Sequence, residues 1–136
     1  TALSALKSPV LPAIDQTSCR FFNRVAIDDN FGGMGLGDEA ERLSGLLGNK
    51  IMMMMGNHGF LTVGDTPALA FDLAYSFERA CRTYMTALST GRELAFIPDD
   101  VAEKTAQQFA SYEGGADIFL TAIRSILDEE EPEYRH

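Results

Sequence analysis

Short apolar runs break up a mostly polar chain, and their spacing predicts an element for each. Ile51 to Met55 is an uninterrupted apolar run of strand length, which suits a strand buried on both faces. Phe60 to Val63 is a second one. Between them Gly56-Asn57-His58-Gly59 is turn chemistry, so the pair reads as two adjacent, central antiparallel strands joined by a four-residue connection. Asp65-Thr66-Pro67 then starts a helix with a capping side chain and a proline in the first turn. Phe71, Ala74, Phe77, Cys81, Met85 and Leu88 recur at three and four residues. This predicts a helix from Pro67 to about Ser89, packed across the hairpin, with Phe71, Phe77, Cys81, Met85 and Leu88 inward. Asp72, Glu78, Arg79 and Arg82 fall on its outer face, and Gly91 ends it.

The remaining segments are shorter. Ala2, Leu3, Ala5 and Leu6 have helical spacing, so Thr1 stands inside a helix, and Pro9 and Pro12 turn the chain into an extended passage. Asp15 offers an N-cap for a short helix carrying Cys19, Phe21 and Phe22 inward. Arg24 to Ile27 reads as a strand and Asp28 to Gly37 as a glycine-rich loop. Asp38 caps a helix through Leu43, Leu46 and Leu47 that Gly48 stops. Leu94 to Ile97 is extended, and Pro98-Asp99-Asp100 opens a helix carrying Val101, Phe109 and Tyr112, ended by Gly114-Gly115. Asp117 caps a last helix with Ile118, Leu120, Ile123 and Leu127, and residues 128–136 form a charged surface tail. Strands mixed with helices, one pair a hairpin, predict an α/β fold: an α/β/α sandwich with a mixed, largely antiparallel central sheet. No repeat or linker divides residues 1–136, which read as one domain.

Composition narrows the function. With 136 residues, 46% of them apolar and 23% charged, the chain can build a core and is not a disordered segment. A net charge of −9 argues against a nucleic-acid or anionic-membrane surface, both of which need clustered Lys and Arg. No apolar run approaches the roughly 18 residues of a membrane span. Cys19 and Cys81 lack metal-ligand spacing and read as reduced core thiols of a cytoplasmic protein, with a disulfide between them as the minor alternative.

The candidate chemistry centres on His58, one of two histidines. A lone turn histidine is more often a hydrogen-bonded structural residue than a ligand, while a histidine at a strand end is well placed to hold a metal. The four methionines before it read as core. Asp28, Asp29 and Asp38 flank Gly32-Gly33 without the spacing or glutamate of a calcium loop, so a solvated loop is favoured there. Gly32, Gly33, Gly35 and Gly37 do not match a dinucleotide fingerprint.

Met55-Gly-Asn-His-Gly-Phe-Leu-Thr-Val-Gly64, with Ala70-Phe71 and Glu78-Arg-Ala-Cys81, resembles the second half of the class II aldolase/adducin domain. Leu11-Pro12 with Asp15-Gln16, Arg24-Val-Ala26 and Gly32-Gly33 fit the same resemblance, which runs from Thr1 to about Leu88 and more loosely to Tyr134. Such aldolases hold zinc with three histidines, two in a His-x-His pair and the third in the Asn-His-Gly turn. The resemblance therefore implies that His58 is a zinc ligand, supported by Asn57 and by Gly56 and Gly59, which let the backbone approach the ion without a β-carbon clash. It implies a zinc-dependent lyase in which the metal polarises a carbonyl of a small hydroxy-carbonyl substrate, in a homo-oligomer, often a tetramer. The departures are as informative. The chain has no His-x-His pair, and the family's acid/base glutamate belongs to the first half of the domain, so no catalytic residue is assigned. A fragment of a longer protein is the favoured reading, a natural half-domain the alternative. Asp15-Gln16 replaces the tyrosine of sugar-phosphate aldolases and points to the adducin-like and uncharacterised bacterial branch. The alternative function is a non-catalytic adducin-like domain for self-association or cytoskeletal contacts.

Overall fold

The computed structural model describes residues 1–135; His136, at the end of the charged tail, lies outside them. Among the described residues there are five α-helices and three strands. In chain order they are α1 (Gln16–Cys19), β1 (Val25–Asp28), α2 (Glu39–Leu47), β2 (Met52–Met55), β3 (Gly59–Thr62), α3 (Pro67–Ser89), α4 (Asp99–Ala110) and α5 (Gly115–Glu130). Short 3₁₀ turns at Ala2–Ala5 and Pro132–Arg135 stand at either end. The opening segment is thus wound more tightly than its helical spacing predicts.

The sheet runs in the order β1-β2-β3. β1 pairs parallel with β2, Val25 opposite Met52, and β2 pairs antiparallel with β3, Met52 opposite Thr62. Of the predicted hairpin, β2 is central and β3 lies outermost. The hairpin connection is three residues and not four, because Gly59 already pairs with Met55.

Alternation along β2 explains the methionine run. Met52 and Met54 face the cluster of Leu3, Phe21, Leu73, Phe77 and Cys81, whereas Met53 and Met55 face Ala26, Leu43, Leu47 and Leu61. One strand therefore fills two cores, with α3 over one face and α2 over the other, which is the α/β/α layering the pattern predicts. Flexible thioethers suit a strand that must pack on both sides.

α3 starts where its caps place it: the Thr66 hydroxyl accepts from the Leu69 amide at 3.2 Å, and Pro67 occupies the first turn. Phe77 is fully buried, meeting Phe21 edge-on at 4.9 Å and Phe60 at 5.0 Å. The predicted face is only partly inward. Phe71 is exposed and stacks on Phe119 of α5 at 5.8 Å, Leu88 is exposed in the last turn, and Asp72 is half-buried by an ion pair with Arg20. Similarly, α4 buries Ala102 and Ala106 and leaves Val101 exposed, with Tyr112 exposed beyond its end, since small side chains allow its close approach to α1. α5 begins at Gly115 behind Gly114 in the left-handed conformation, so Asp117 sits in its first turn and does not cap it.

Candidate active site

The site is built on the hairpin turn. Met55 delivers the chain into Gly56-Asn57-His58, and the His58 amide closes the turn on the Met55 carbonyl at 3.2 Å. Two further main-chain bonds hold this turn. The Gly56 amide donates to the Asp28 carbonyl at 2.7 Å, and the Asn57 amide donates to the Ser4 carbonyl at 2.7 Å. Asn57 sits at φ 56°, a left-handed conformation that asparagine tolerates better than most residues. The backbone is thus fixed at three points while the His58 side chain projects outward, exposed. Phe31 is its one aromatic neighbour among the described residues, edge-on with ring centroids 6.2 Å apart.

Beside it lies a cavity of about 40 Å³ lined by Asp28, Asn30, Phe31, Glu39, Met55 and His58, among others. Asp28 departs from the sequence expectation of a solvated loop: it is only 6% exposed, at the end of β1. Its carboxylate takes a bidentate contact from Arg42, Nη1 to Oδ1 at 2.9 Å and Nη2 to Oδ2 at 2.8 Å. The same guanidinium grips Glu39, with Nε to Oε2 at 2.8 Å and Nη2 to Oε1 at 2.7 Å. Hydrogen bonds from Arg42 hold both carboxyls below the usual carboxylate range, and the two carboxylates in turn raise the Arg42 pKa.

A larger cavity of about 690 Å³ lies between α3, α4 and the start of α5, lined by Arg20, Asp72, Ser76 and Phe109 among others. Within it Arg20 is already engaged: it bonds Asp72 at 2.7 Å and Ser76 at 3.2 Å, and lies 5.5 Å from the centre of the Phe109 ring. His58 has no part in it.

Comparison with known proteins decides the family. The Class II Aldolase and Adducin N-terminal domain model matches residues 1–85. The chain belongs to the class II aldolase/adducin family. A Caulobacter vibrioides relative named after the class 2 aldolases is 34% identical over 137 aligned residues, covering 98% of this chain and 52% of that protein. The crystal structure of an aldolase II superfamily protein from Pseudomonas syringae superposes with a TM-score of 0.88 at 33% identity, covering 99% of this chain and 55% of that one. An L-fuculose 1-phosphate aldolase from Glaciozyma antarctica PI12 superposes at 0.75 with 27% identity, covering 95% of this chain and 49% of that one. The chain therefore spans about half the length of the relatives it matches.

The match to the N-terminal domain model covers nearly the same residues as the resemblance read from the motif. Gly56, Asn57 and His58 form the turn, and Gly59 follows as the first residue of β3. Among the described residues no group of three or more His, Cys, Asp or Glu side chains is arranged to hold a metal ion. Asp28 and Glu39, the carboxylates beside the cavity, are both engaged by Arg42. One imidazole does not make a catalytic zinc site. Among the described residues no helix is long and apolar enough to cross a membrane.

Proposed function

We propose that the intact protein is a zinc-dependent lyase cleaving a small hydroxy-carbonyl compound, and that this chain contributes His58 as one of three histidine ligands. The observation that carries the reading is His58 itself: an exposed imidazole on a turn whose backbone is tied to Met55, Asp28 and Ser4. A side chain held at the end of a packed strand keeps its angle, as a metal ligand must. Likeness to an L-fuculose 1-phosphate aldolase supports the reaction class. The substrate itself stays at the level of a small hydroxy-carbonyl compound, because Asp15-Gln16 departs from the sugar-phosphate pattern. The other two histidines and the acid/base glutamate would come from residues outside this chain, and by family resemblance the assembly would be a cytoplasmic homo-oligomer.

Elemental analysis of the intact protein, dialysed against a mild chelator, tests the assignment. Retained zinc and aldol cleavage are expected in the wild type. Both should be lost in His58→Ala, with circular dichroism and thermal midpoint nearly unchanged, since the side chain is exposed on a turn. Unchanged zinc in that variant defeats the ligand assignment and makes His58 a structural turn residue, which favours the non-catalytic adducin-like reading.

A further inference from the structure

The contacts of Asp28, Arg42 and Glu39 form more than an ion-pair cluster. Asp28 and Asn30 stand at the entrance of the loop 29–37, and Glu39 and Arg42 stand just past its exit. Besides the two Arg42 bonds, Asp28 Oδ1 accepts the Asn30 amide at 3.2 Å. The guanidinium therefore staples the two ends of the loop together. The Asp28 main chain does the second half of the work, since its carbonyl receives the Gly56 amide two residues before His58. The loop itself carries Phe31 back against the imidazole. Its tip is open to solvent: Met34 is 94% and Leu36 is 86% exposed. A loop rich in glycine and anchored only at its base takes its position from that base.

We propose that Asp28, Arg42 and Glu39 are a positioning clamp, which fixes the loop 29–37 and the Gly56–His58 turn relative to each other and so orients the imidazole as a ligand. The clamp rests on the reading of His58 as a zinc ligand, but its geometry is testable without metal. The geometry of Arg42 makes the clamp specific. A planar fork engages two carboxylates at once, whereas a lysine ammonium is a point charge that cannot reproduce both bidentate contacts.

The test uses the intact protein labelled at histidine, with His58 assigned through His58→Gln. In the metal-free state the His58 ring protons should carry the ring-current shift of Phe31, lost in Phe31→Ala. Asp28→Asn and Arg42→Gln should move the His58 resonances toward those of Phe31→Ala, with Arg42→Lys intermediate. In competition against a chelating dye, the zinc dissociation constant should rise about tenfold or more in the first two variants, the scale seen when groups supporting a ligand are removed. Glu103→Gln breaks a comparable ion pair with Arg24 away from this site and should change neither reading. His58 resonances unmoved in Asp28→Asn and Arg42→Gln overturn the clamp. So do moved resonances with unchanged zinc affinity, provided His58→Ala abolishes binding. If His58→Ala still binds zinc, the ligand reading fails, and the clamp's role in setting a ligand falls with it.

Discussion

Gly56 and Gly59 flank the same histidine, yet the backbone asks different things of them. Gly59 stands at φ 148°, where a β-carbon is strained whatever the space around it, while a β-carbon on Gly56 would meet the Asp28 carbonyl oxygen at an ordinary 3.4 Å. Gly59→Ala should therefore destabilise the protein by about 1–3 kcal/mol, and Gly56→Ala by clearly less, as read by denaturant unfolding. Equal losses would mean that crowding and not backbone conformation decides the turn. The tightest approach to a backbone atom lies elsewhere, at the start of α3. A β-carbon on Gly64 would come within 2.8 Å of the Ala70 amide nitrogen, in the first turns of α3. The turn residues of the site were legible because glycine, asparagine and histidine between two apolar runs have a local meaning. The clamp was not. Asp28 and Arg42 are 14 residues apart and meet only when α2 packs beside β1, and an aspartate before a glycine-rich loop reads locally as solvated. The one local trace was the Glu39–Arg42 spacing, a common surface pair on any helix.

At the scale of elements, periodicity located α3 and the hairpin but overstated what each buries. The three-and-four spacing marks an apolar stripe, and only the neighbours decide which part of it is covered. Phe77 lies beneath two aromatic rings with no exposed surface, whereas Phe71 lies against Phe119 and is 41% exposed. Phe77→Ala should cost about 3–5 kcal/mol, a transfer loss plus an unfilled cavity. Phe71→Ala should cost clearly less, because much of its ring already meets water. Equal losses in equilibrium unfolding would show that α5 buries more of α3 than the fold describes. The same limit explains α4: its largest apolar side chains suggested the inward face, but Ala102 and Ala106 make the contact because they let two helices approach. Strand order was equally beyond local reading. That β1 joins β2 in parallel depends on a crossover through α2, and nothing in Arg24 to Ile27 states it.

Across the whole molecule, arginine–carboxylate pairs tie the helices to the sheet and to one another. Arg20 joins α1 to Asp72 of α3, Arg42 joins α2 to Asp28 of β1, and Arg24, just before β1, grips Glu103 of α4 through both carboxylate oxygens at 2.7 and 2.8 Å. The Arg24 hydrogen bonds hold the Glu103 carboxyl at about 2, below its ordinary 4.5, and the Arg42 hydrogen bonds lower Asp28 in the same direction. A carboxyl depressed in the folded state binds fewer protons there than in the unfolded chain. Its stabilisation is complete above the unfolded value and is lost as pH falls through the folded one. For Glu103 that window runs from 4.5 down to about 2. The thermal midpoint should therefore fall as the solution is acidified through this range. In Glu103→Gln the midpoint should be lower at neutral pH and the acid decline shallower, because one group with unequal proton binding in the two states has been removed. Circular dichroism melts from pH 7 to pH 2 on both proteins check it. A variant that keeps the wild-type acid slope would show that the Arg24 pair contributes nothing to the decline, leaving Asp28 and the other carboxylates to account for it.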